Sequence, residues 1–284
     1  MKEFLLLGDW GQELGDQAPF FEEKWIKRLK NLHYDDIFLL GDNFYPNGVS
    51  NENDKQWETK LARYFPLKKP KYVVLGNHDY ISSPAAQVSF TYLSKNYNWN
   101  MPHIFHDKYY SDISCHVFFV DTQIMSPMYT TAMLTACNAS PSCIQNFYRM
   151  VDKLENLQKR WIESALKSTS AKWKIVIGHY PLLSCGFHEI STEVQSKLYP
   201  LLKKNKVDLY ASGHDHNSQI LEKDGIHFVV SGGLAYFNQP KAEKNAKFVG
   251  TEKSLIKISV SINTIEFLYV TSQKEYSVYT ITKN

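Results

Sequence analysis

The 284-residue chain has no apolar run that approaches the roughly 20 residues needed to span a bilayer, no low-complexity stretch and no internal repeat. These absences exclude a membrane-spanning helix, a disordered chain and a solenoid. An excess of one charge is also lacking, because 32 basic and 29 acidic residues leave a net charge of +3. That balance does not indicate a nucleic acid or an anionic membrane as partner. Hydrophobic residues make up 43% of the chain, which indicates a folded protein with a sizeable core.

Cysteine is scarce, with four residues in the chain. Cys137 and Cys143 bracket a polar segment that a short disulfide could close, and Asn138-Ala139-Ser140 is a glycosylation acceptor pattern. Cys115 lies in an apolar stretch, where we expect a buried and inert thiol. The first apolar run begins at Phe4 and leaves no room for a secretory signal, so the protein is intracellular or a signal has been removed. We expect a secreted or lumenal (lysosomal) protein, with a cytoplasmic location left open.

Five short apolar runs each end in a glycine that is followed by polar residues. These runs are Phe4–Leu7, Ile37–Leu40, Tyr72–Leu75, Ile175–Ile177 and Val207–Ala211. An apolar run of this length bounded by glycine predicts a strand buried on both faces. The segments between them that have helical spacing include Phe21–Leu32, Asp54–Phe65, Phe147–Leu166 and Glu193–Lys204. Alternating strands and helices predict a largely parallel sheet with helices packed on it.

After about residue 206, strand patterns follow one another with few helices between them. They are Ile226–Ser231, Leu255–Val260, Ile265–Val270 and Tyr276–Thr282, and Tyr109–Val120 adds one or two more. The number of predicted strands is larger than a single doubly wound sheet requires, so we predict a second sheet packed on the first. No linker separates the two halves, and we expect residues 1–284 to form a single α/β domain.

The polar residues after the five strands are metal ligands by type. They are Asp9, Asp42 with Asn43 and Tyr45, Asn77 with His78, His179, and His214 with His216. Ligand sites in such sheets form beyond the carboxyl ends of the strands, and carboxylates, imidazoles, a carboxamide and a phenol there suit metal ions. In an extended chain His214 and His216 face the same way, which suggests two metals that Asp42 could bridge. Each Gly-Asp or Gly-Asn taken singly is more typical of a turn or a helix cap, so the prediction rests on their combination.

Five motifs carry a resemblance to a known family. They are Asp9-Trp10-Gly11, Gly41-Asp42-Asn43-Phe44-Tyr45, Gly76-Asn77-His78-Asp79, Gly178-His179-Tyr180-Pro181 and Gly213-His214-Asp215-His216. The chain resembles the metallophosphoesterases, and its Tyr45 position resembles the purple acid phosphatases among them. The chain length and the Asp-Trp-Gly and Gly-His-Asp-His-Asn forms most resemble the small, tartrate-resistant type. The resemblance runs from about Phe4 to Val270. It implies a four-layer α/β sandwich of two packed mixed β-sheets flanked by helices.

The resemblance also implies two metal sites. Ferric iron would be held by Asp9, Asp42, Tyr45 and His216. Divalent iron, zinc or manganese would be held by Asp42, Asn77, His179 and His214. The first set offers hard anionic oxygens for a trivalent ion, and the second is softer and less charged. With a bridging hydroxide the formal charges sum to roughly +1, so the cleft would attract an anion.

The implied activity is that of an acid phosphatase, which hydrolyses phosphate monoesters with a metal-bound hydroxide as nucleophile. His78 is the expected source of a proton or positive charge for the leaving group. His188 matches a family position that contacts substrate, although an exposed loop histidine is the alternative. Asn43 either contacts the phosphate or is a turn residue. The expected partners are phosphate monoesters and no nucleic acid, and a monomer is expected.

Two other functions are open at this stage. One is a phosphodiesterase or nucleotide-directed member of the wider superfamily, against which the Tyr45 position counts. The other is an inactive scaffold of the same fold, against which the seven intact ligand positions count. We further expect Asp79 and Asp215 to orient their neighbours, Trp10 and Phe44 to pack beside the site, and residues 123–147 to form a long loop.

Overall fold

The predicted strands are divided between two sheets of seven strands each, in a computed structural model that describes residues 1–11, 19–126, 141–188, 190–241 and 244–284. The prediction of a second sheet is therefore confirmed. The expectation that the five glycine-terminated strands share one parallel sheet is wrong, because three of them lie in one sheet and two in the other. Local apolar patterns do not determine which sheet a strand joins, since pairing joins segments that are distant in sequence.

The first sheet has the order β14-β13-β12-β1-β2-β3-β4. Its strands are β1 (Lys2–Leu7), β2 (Asp36–Leu40), β3 (Lys71–Val74), β4 (Trp99–Asn100), β12 (Leu255–Val260), β13 (Thr264–Val270) and β14 (Glu275–Thr282). Strands β1 to β4 are parallel, and β12 pairs antiparallel with β1. The carboxyl ends of β1, β2 and β3 consequently lie at the same edge.

The second sheet has the order β11-β9-β10-β8-β7-β6-β5. Its strands are β5 (His106–Tyr110), β6 (Cys115–Phe119), β7 (Trp173–Ile177), β8 (Leu209–Ser212), β9 (Ser218–Lys223), β10 (Ile226–Ser231) and β11 (Ala246–Val249). Strands β6, β7, β8 and β10 run parallel to their neighbours in that series. The short strands β4 and β11, and β9 after the His214–His216 segment, are not among the predicted strands.

The alternation of side chains along β1 shows how the layers form. Phe4 and Leu6 belong to the core between the two sheets, whereas Leu5 and Leu7 belong to the core on the outer face of the first sheet. All four side chains are fully buried. A strand covered on both faces has no polar position, which explains the continuous apolar run in the sequence. The predicted four-layer α/β sandwich is confirmed.

Helices cover the outer faces of the sheets in the described parts of the chain. They are α1 (Pro19–Asn31), α2 (Pro84–Leu93), α3 (Pro141–Ser168) and α4 (Thr192–Lys204), with a π-helical turn at Trp57–Ala62. In α4 the buried residues Val194, Leu198 and Leu202 recur every four positions and face the sheet. Helix α2 is not among the predicted helices, although Ser83 caps it and Pro84 occupies its first turn.

The prediction of a long loop at residues 123–147 is wrong at its carboxyl end, because α3 begins at Pro141, and residues 127–140 lie outside the described part of the chain. Cys137 and the Asn138 acceptor pattern lie outside the described residues, so the Cys137–Cys143 disulfide stays a prediction. Cys115 is fully buried, as predicted, and burial raises the pKa of its thiol. Within the described ranges, no helix has both the length and the apolar character required to cross a membrane.

Candidate metal centre

Backbone hydrogen bonds join the strand ends of the two sheets. The amide of Gly8, after β1, donates to the carbonyl of Ser231 at the end of β10 over 2.8 Å. The amide of Asp9 donates to the carbonyl of Gly41 over 3.0 Å, and the amide of Gly213 donates to the carbonyl of His179 over 3.1 Å. The carboxyl edges of the two sheets therefore meet, and the polar residues that follow the strands converge there.

Three of the predicted ligands have left-handed backbone conformations, which are uncommon for residues other than glycine. The φ angles are 55° at Asp9, 52° at Asp42 and 66° at His214. Such conformations cost free energy, and they concentrate at functional sites where the surrounding structure imposes them. Here each one turns the chain sharply after a buried strand, so that the side chain points across the sheet edge.

Two glycines allow the carboxylates to approach the neighbouring loops closely. A Cβ atom at Gly76 would lie 2.2 Å from Oδ1 of Asp42, and one at Gly213 would lie 2.5 Å from Oδ2 of Asp9. Any larger residue at these positions would displace a carboxylate. The glycines that mark the strand ends in the sequence therefore have a direct role in the site's geometry.

One group of donors surrounds Asp9. The Tyr45 hydroxyl lies 3.1 Å from Oδ1 of Asp9 and 2.8 Å from Oδ2 of Asp42. Nε2 of His216 lies 3.5 Å from Oδ1 of Asp9. Asp9 and Asp42 are 1% and 2% exposed, so both carboxylates are removed from solvent. These are the four residues that the resemblance assigns to ferric iron.

A second group lies on the other side of Asp42. Nε2 of His179 is 3.5 Å from Oδ1 of Asp42 and 3.1 Å from Oδ1 of Asn77. Nδ1 of His179 contacts the carbonyl of Leu40 over 2.9 Å, which directs Nε2 at the site. The rings of His179 and His214 are 5.2 Å apart. These are the four residues assigned to the divalent metal, and all seven predicted ligands lie in one cluster.

The charges of this cluster suit bound cations. Burial raises the pKa of Asp9, but contact with His216 and the nearby imidazoles outweighs burial and lowers that pKa to about 2. Burial lowers the pKa of His214 well below its usual value, so its ring is neutral and able to coordinate. Burial and the two carboxylates raise the pKa of Tyr45, so its phenolate needs a nearby cation. Ligand atoms of Asp9, Asp42 and His179 lie within 4.8 Å of one another, a spacing that fits metal ions.

Asn43 does not face the open site. It is fully buried, its carbonyl accepts from the Trp10 indole over 3.1 Å, and its amide donates to the Val74 carbonyl over 2.9 Å. Asp79 accepts hydrogen bonds from the amides of Asn43 and Gly76, so it holds the loops after β2 and β3 together. This placement favours the alternative of a turn residue for Asn43. The predicted orienting role of Asp79 agrees with its contacts.

The two histidines expected to act on substrate both border the cluster. The His78 ring lies 4.1 Å from the Tyr45 ring, and its Nε2 is 4.0 Å from Oδ2 of Asp42. The His188 ring lies 4.7 Å from the His214 ring, and its amide donates to Oδ1 of Asp215 over 2.9 Å. His188 is therefore at the site and not on a remote loop, and Asp215 positions it.

Several residues near the site were not singled out in the sequence. Lys60 is 6% exposed, and its Nζ donates to the carbonyls of Gly11 and Tyr45 over 2.8 Å each, which holds the Tyr45 loop. Tyr236 also borders the site, with its ring 5.6 Å from that of His216. The sequence does carry a signal for Tyr236, because glycines (Gly232-Gly233) follow β10 just as a glycine follows each strand that precedes a predicted ligand. Nothing local marks Lys60, because its contacts are formed by distant loops.

Comparison with known proteins identifies the class. A family model described as calcineurin-like phosphoesterase matches residues 2–218. The chain therefore belongs to the calcineurin-like phosphoesterase family. The match includes all five motifs that carry the predicted ligands.

Individual relatives narrow this assignment. Human tartrate-resistant acid phosphatase type 5 is 31% identical over 256 residues, covering 84% of this chain and 74% of the human protein. Purple acid phosphatase 17 of Arabidopsis thaliana is 31% identical over 239 residues, covering 81% of this chain and 67% of that protein. These relatives place the chain among the purple acid phosphatases and support a metal-dependent phosphatase with a dinuclear centre.

A solved structure of similar fold has a different described role. It is GAP50, described as the anchor in the inner membrane complex of Plasmodium. The two structures superpose with a TM-score of 0.77 at 26% identity, over 100% of this chain and 88% of that chain. The fold is thus shared by proteins described as phosphatases and by one described as an anchor.

Proposed function

We propose that this protein is an acid phosphatase that hydrolyses phosphate monoesters at a dinuclear centre of ferric iron and a divalent ion, either iron, zinc or manganese. The observation that carries the proposal is the position of Asp42. Its Oδ2 is 2.8 Å from the Tyr45 hydroxyl, and its Oδ1 is 3.5 Å from Nε2 of His179. One carboxylate thus faces both groups of donors, as a ligand shared by two ions would.

The proposed first site is formed by Asp9, Asp42, Tyr45 and His216, and the second by Asp42, Asn77, His179 and His214. Two bound cations would supply positive charge that attracts a phosphate ester, together with an acidified water as nucleophile. The protein's part is to keep the donors in place. Fixed backbone turns and hydrogen bonds already do so among the described residues, so little reorganisation is needed when substrate binds.

His78 and His188 are proposed to handle the substrate. Nδ1 of His78 contacts the Pro46 carbonyl over 2.6 Å, which directs Nε2 towards Asp42. A protonated Nε2 there can donate to the leaving oxygen as the ester bond breaks. His188, whose amide donates to Asp215, lies beside His214 and His216, and its ring is proposed to donate to a phosphate oxygen.

Metal analysis with a visible spectrum tests the centre directly, because a tyrosine phenolate on ferric iron absorbs visible light. We expect about one iron per chain and a purple or pink band that is lost in Tyr45→Phe. Tyr92→Phe is the matched control, since Tyr92 is 59% exposed and its hydroxyl contacts the Pro102 carbonyl away from the site. A colourless protein that is fully active with zinc or manganese alone would contradict the iron assignment.

Substrate class is tested separately. Hydrolysis of a phosphate monoester and a phosphate diester with the same aryl group should be compared at about pH 5 and pH 7.5. We expect the monoester to be preferred, and the preference to be greatest at the acid pH. A diester preference at both values would instead indicate the phosphodiesterase alternative. An extracytoplasmic location, which the acid activity would suit, is part of the same proposal.

The likeness to GAP50 favours a non-catalytic scaffold as the second candidate function. GAP50 is described as an anchor, and its fold covers the whole of this chain. The same metal analysis separates the two functions. A properly folded protein that binds no metal and releases no phosphate from any monoester would support the scaffold.

A further inference from the structure

Two aromatic side chains are exposed beside the metal centre. Phe187 is 78% exposed and Tyr236 is 49% exposed, whereas Asp9 and Asp42 are almost completely buried. A single exposed apolar residue needs no explanation. These two differ from other exposed residues because each contacts a histidine of the site. They lie at the solvent-exposed edge, or mouth, of the cluster that holds the buried carboxylates.

The four rings form a continuous series along one wall of the site. Phe187 contacts His188 with ring centroids 5.7 Å apart and an interplanar angle of 82°. His188 and His216 are 5.8 Å apart at 72°, and His216 and Tyr236 are 5.6 Å apart at 77°. Each pair has the edge-to-face geometry that aromatic rings prefer. The exposed rings are therefore the outer members of a series whose inner members are His188 and His216.

The backbone that carries Phe187 is fixed by the interior of the site. The amide of Cys185 donates to Oε1 of Gln219 and the amide of His188 donates to Oδ1 of Asp215, both over 2.9 Å. A Cβ atom at Gly186 would lie 2.3 Å from the Asp215 carboxyl carbon, so the chain passes directly over Asp215. The Phe187 side chain is therefore exposed on a segment whose Cys185 and His188 amides are both hydrogen-bonded to buried side chains.

The backbone that carries Tyr236 is anchored in a similar way. The amide of Asn238 donates to the carbonyl of His216 over 2.8 Å, and Nζ of Lys253 donates to the carbonyl of Ala235 over 2.6 Å. The backbone that carries each exposed ring is thus held in position before any ligand arrives. A preorganised group loses less entropy on binding than a mobile one.

We propose that Phe187 and Tyr236 form an aromatic rim that recognises a planar aromatic group on the alcohol side of the phosphate ester. This rests on the proposed phosphatase function, which puts the phosphate at the buried donors and leaves the alcohol group at the mouth. Ring contacts of this kind favour an aromatic ligand by about 3- to 10-fold over an apolar ligand of the same size. The two residues are then determinants of specificity and take no part in bond breaking.

The test compares benzyl phosphate with cyclohexylmethyl phosphate. Both have an alkyl leaving oxygen, so their chemical reactivity is similar, and the saturated ring is at least as apolar as benzyl. Nonspecific apolar contact therefore cannot favour benzyl. The variants are Phe187→Leu, Tyr236→Leu and the double variant. Tyr109→Leu is the matched control, because Tyr109 is 47% exposed and its ring is 5.4 Å from His116 at 67°, away from the site.

We expect kcat/KM to favour benzyl phosphate by about 3- to 10-fold in the natural protein and in Tyr109→Leu. In the double variant the ratio should fall towards one, while kcat/KM for methyl phosphate stays unchanged. An equal loss for all three esters, or a benzyl preference that survives the double substitution, would overturn the aromatic rim.

Binding keeps the proposal testable without turnover. Calorimetry on the metal-loaded protein would compare 2-phenylethylphosphonate with 2-cyclohexylethylphosphonate, which have no hydrolysable ester bond. If the natural protein hydrolyses no ester but the phenyl preference appears and is lost in the double variant, the phosphatase function fails and the rim stands. If esters are hydrolysed without a benzyl preference, the rim fails and the phosphatase function stands. Absence of binding for both phosphonates also counts against the rim.

Discussion

The backbone amide of His214 donates a hydrogen bond of 2.8 Å to Oδ2 of Asp9, joining two residues that are 205 positions apart in the sequence. Asp9 follows a strand of the first sheet and His214 follows a strand of the second. The contact therefore holds the two halves of the candidate centre together through protein atoms.

Gly213→Ala should disturb this contact without unfolding the protein. The added Cβ would lie 2.5 Å from Oδ2 of Asp9 but 3.2 Å or more from the nearest backbone atoms, so the carboxylate must move. We expect metal affinity to fall about 10- to 100-fold, as when groups that orient ligands are lost. The measurement is a titration of metal ions into the metal-depleted protein.

Gly225→Ala is the control for that variant. Gly225 has a φ of 76°, but a Cβ there meets no heavy atom within 4 Å. The substitution should cost about 1 kcal/mol in the free energy of unfolding and leave metal affinity unchanged. Equal metal affinity in the two variants would contradict the assigned role of Gly213.

Asp42→Ala should abolish both metal binding and phosphate release. Removal of the shared carboxylate takes a ligand from both proposed sites, so we expect losses well above the roughly 100-fold that orienting groups cause. The measurements are metal content and phosphate release on the same preparation. Asp112→Ala, at an exposed aspartate near Lys2, is the control. Undiminished phosphate release from Asp42→Ala would end the proposed mechanism.

His78→Gln should slow hydrolysis in proportion to how much the leaving group needs a proton. General acid catalysis contributes about 100-fold or more, so a simple alkyl ester should lose about that factor. A nitrophenyl ester, whose leaving group is already stable as an anion, should lose far less. His33→Gln serves as control, because the His33 side chain is 82% exposed. Equal losses for both esters would assign His78 a structural role.

Asp121→Asn should change how stability depends on pH. Burial raises the pKa of Asp121 to about 6, although it accepts a hydrogen bond from the Tyr80 hydroxyl over 2.5 Å. An acid whose pKa is raised on folding binds more protons when folded, so its contribution to stability is present at low pH and is lost as pH rises from about 4 to 6.

We therefore expect the natural protein to gain of the order of 2 kcal/mol relative to Asp121→Asn when pH falls from 7 to 4. Urea unfolding of both proteins across that range measures the difference. Asp107→Asn is a suitable reference, because its side chain is 41% exposed. Parallel stability curves for Asp121→Asn and the natural protein would show that the carboxyl titrates normally.

The strands and the ligand types could be predicted from the sequence because their signals are local. A short apolar run indicates a strand that is buried on both faces. A glycine followed by aspartate, asparagine or histidine indicates a sharp turn that carries a metal-ligand side chain. This was sufficient for Asp9, Asp42 and Tyr45, which lie close to one another in the structure. The family resemblance then supplied the division of the seven predicted ligands into two sites.

Other features could not be predicted, because they depend on contacts between distant segments. An asparagine at position 43 fits a phosphate contact as well as a buried turn, and only its contacts with Trp10 and Val74 in the structure favour the turn. The ring series through Phe187 and Tyr236 combines two loops that are about 50 residues apart. No periodic pattern marks either residue.

The sequence by itself determined the chemistry of this protein, since donor type, charge and strand-end turns are properties of short segments. The tertiary structure decided which strands share a sheet, which polar groups reach the open pocket and which are buried in supporting networks. The physical reason is that strand pairing and side-chain packing are cooperative and act between residues far apart in the chain. Their outcome depends on the whole core and not on any one motif.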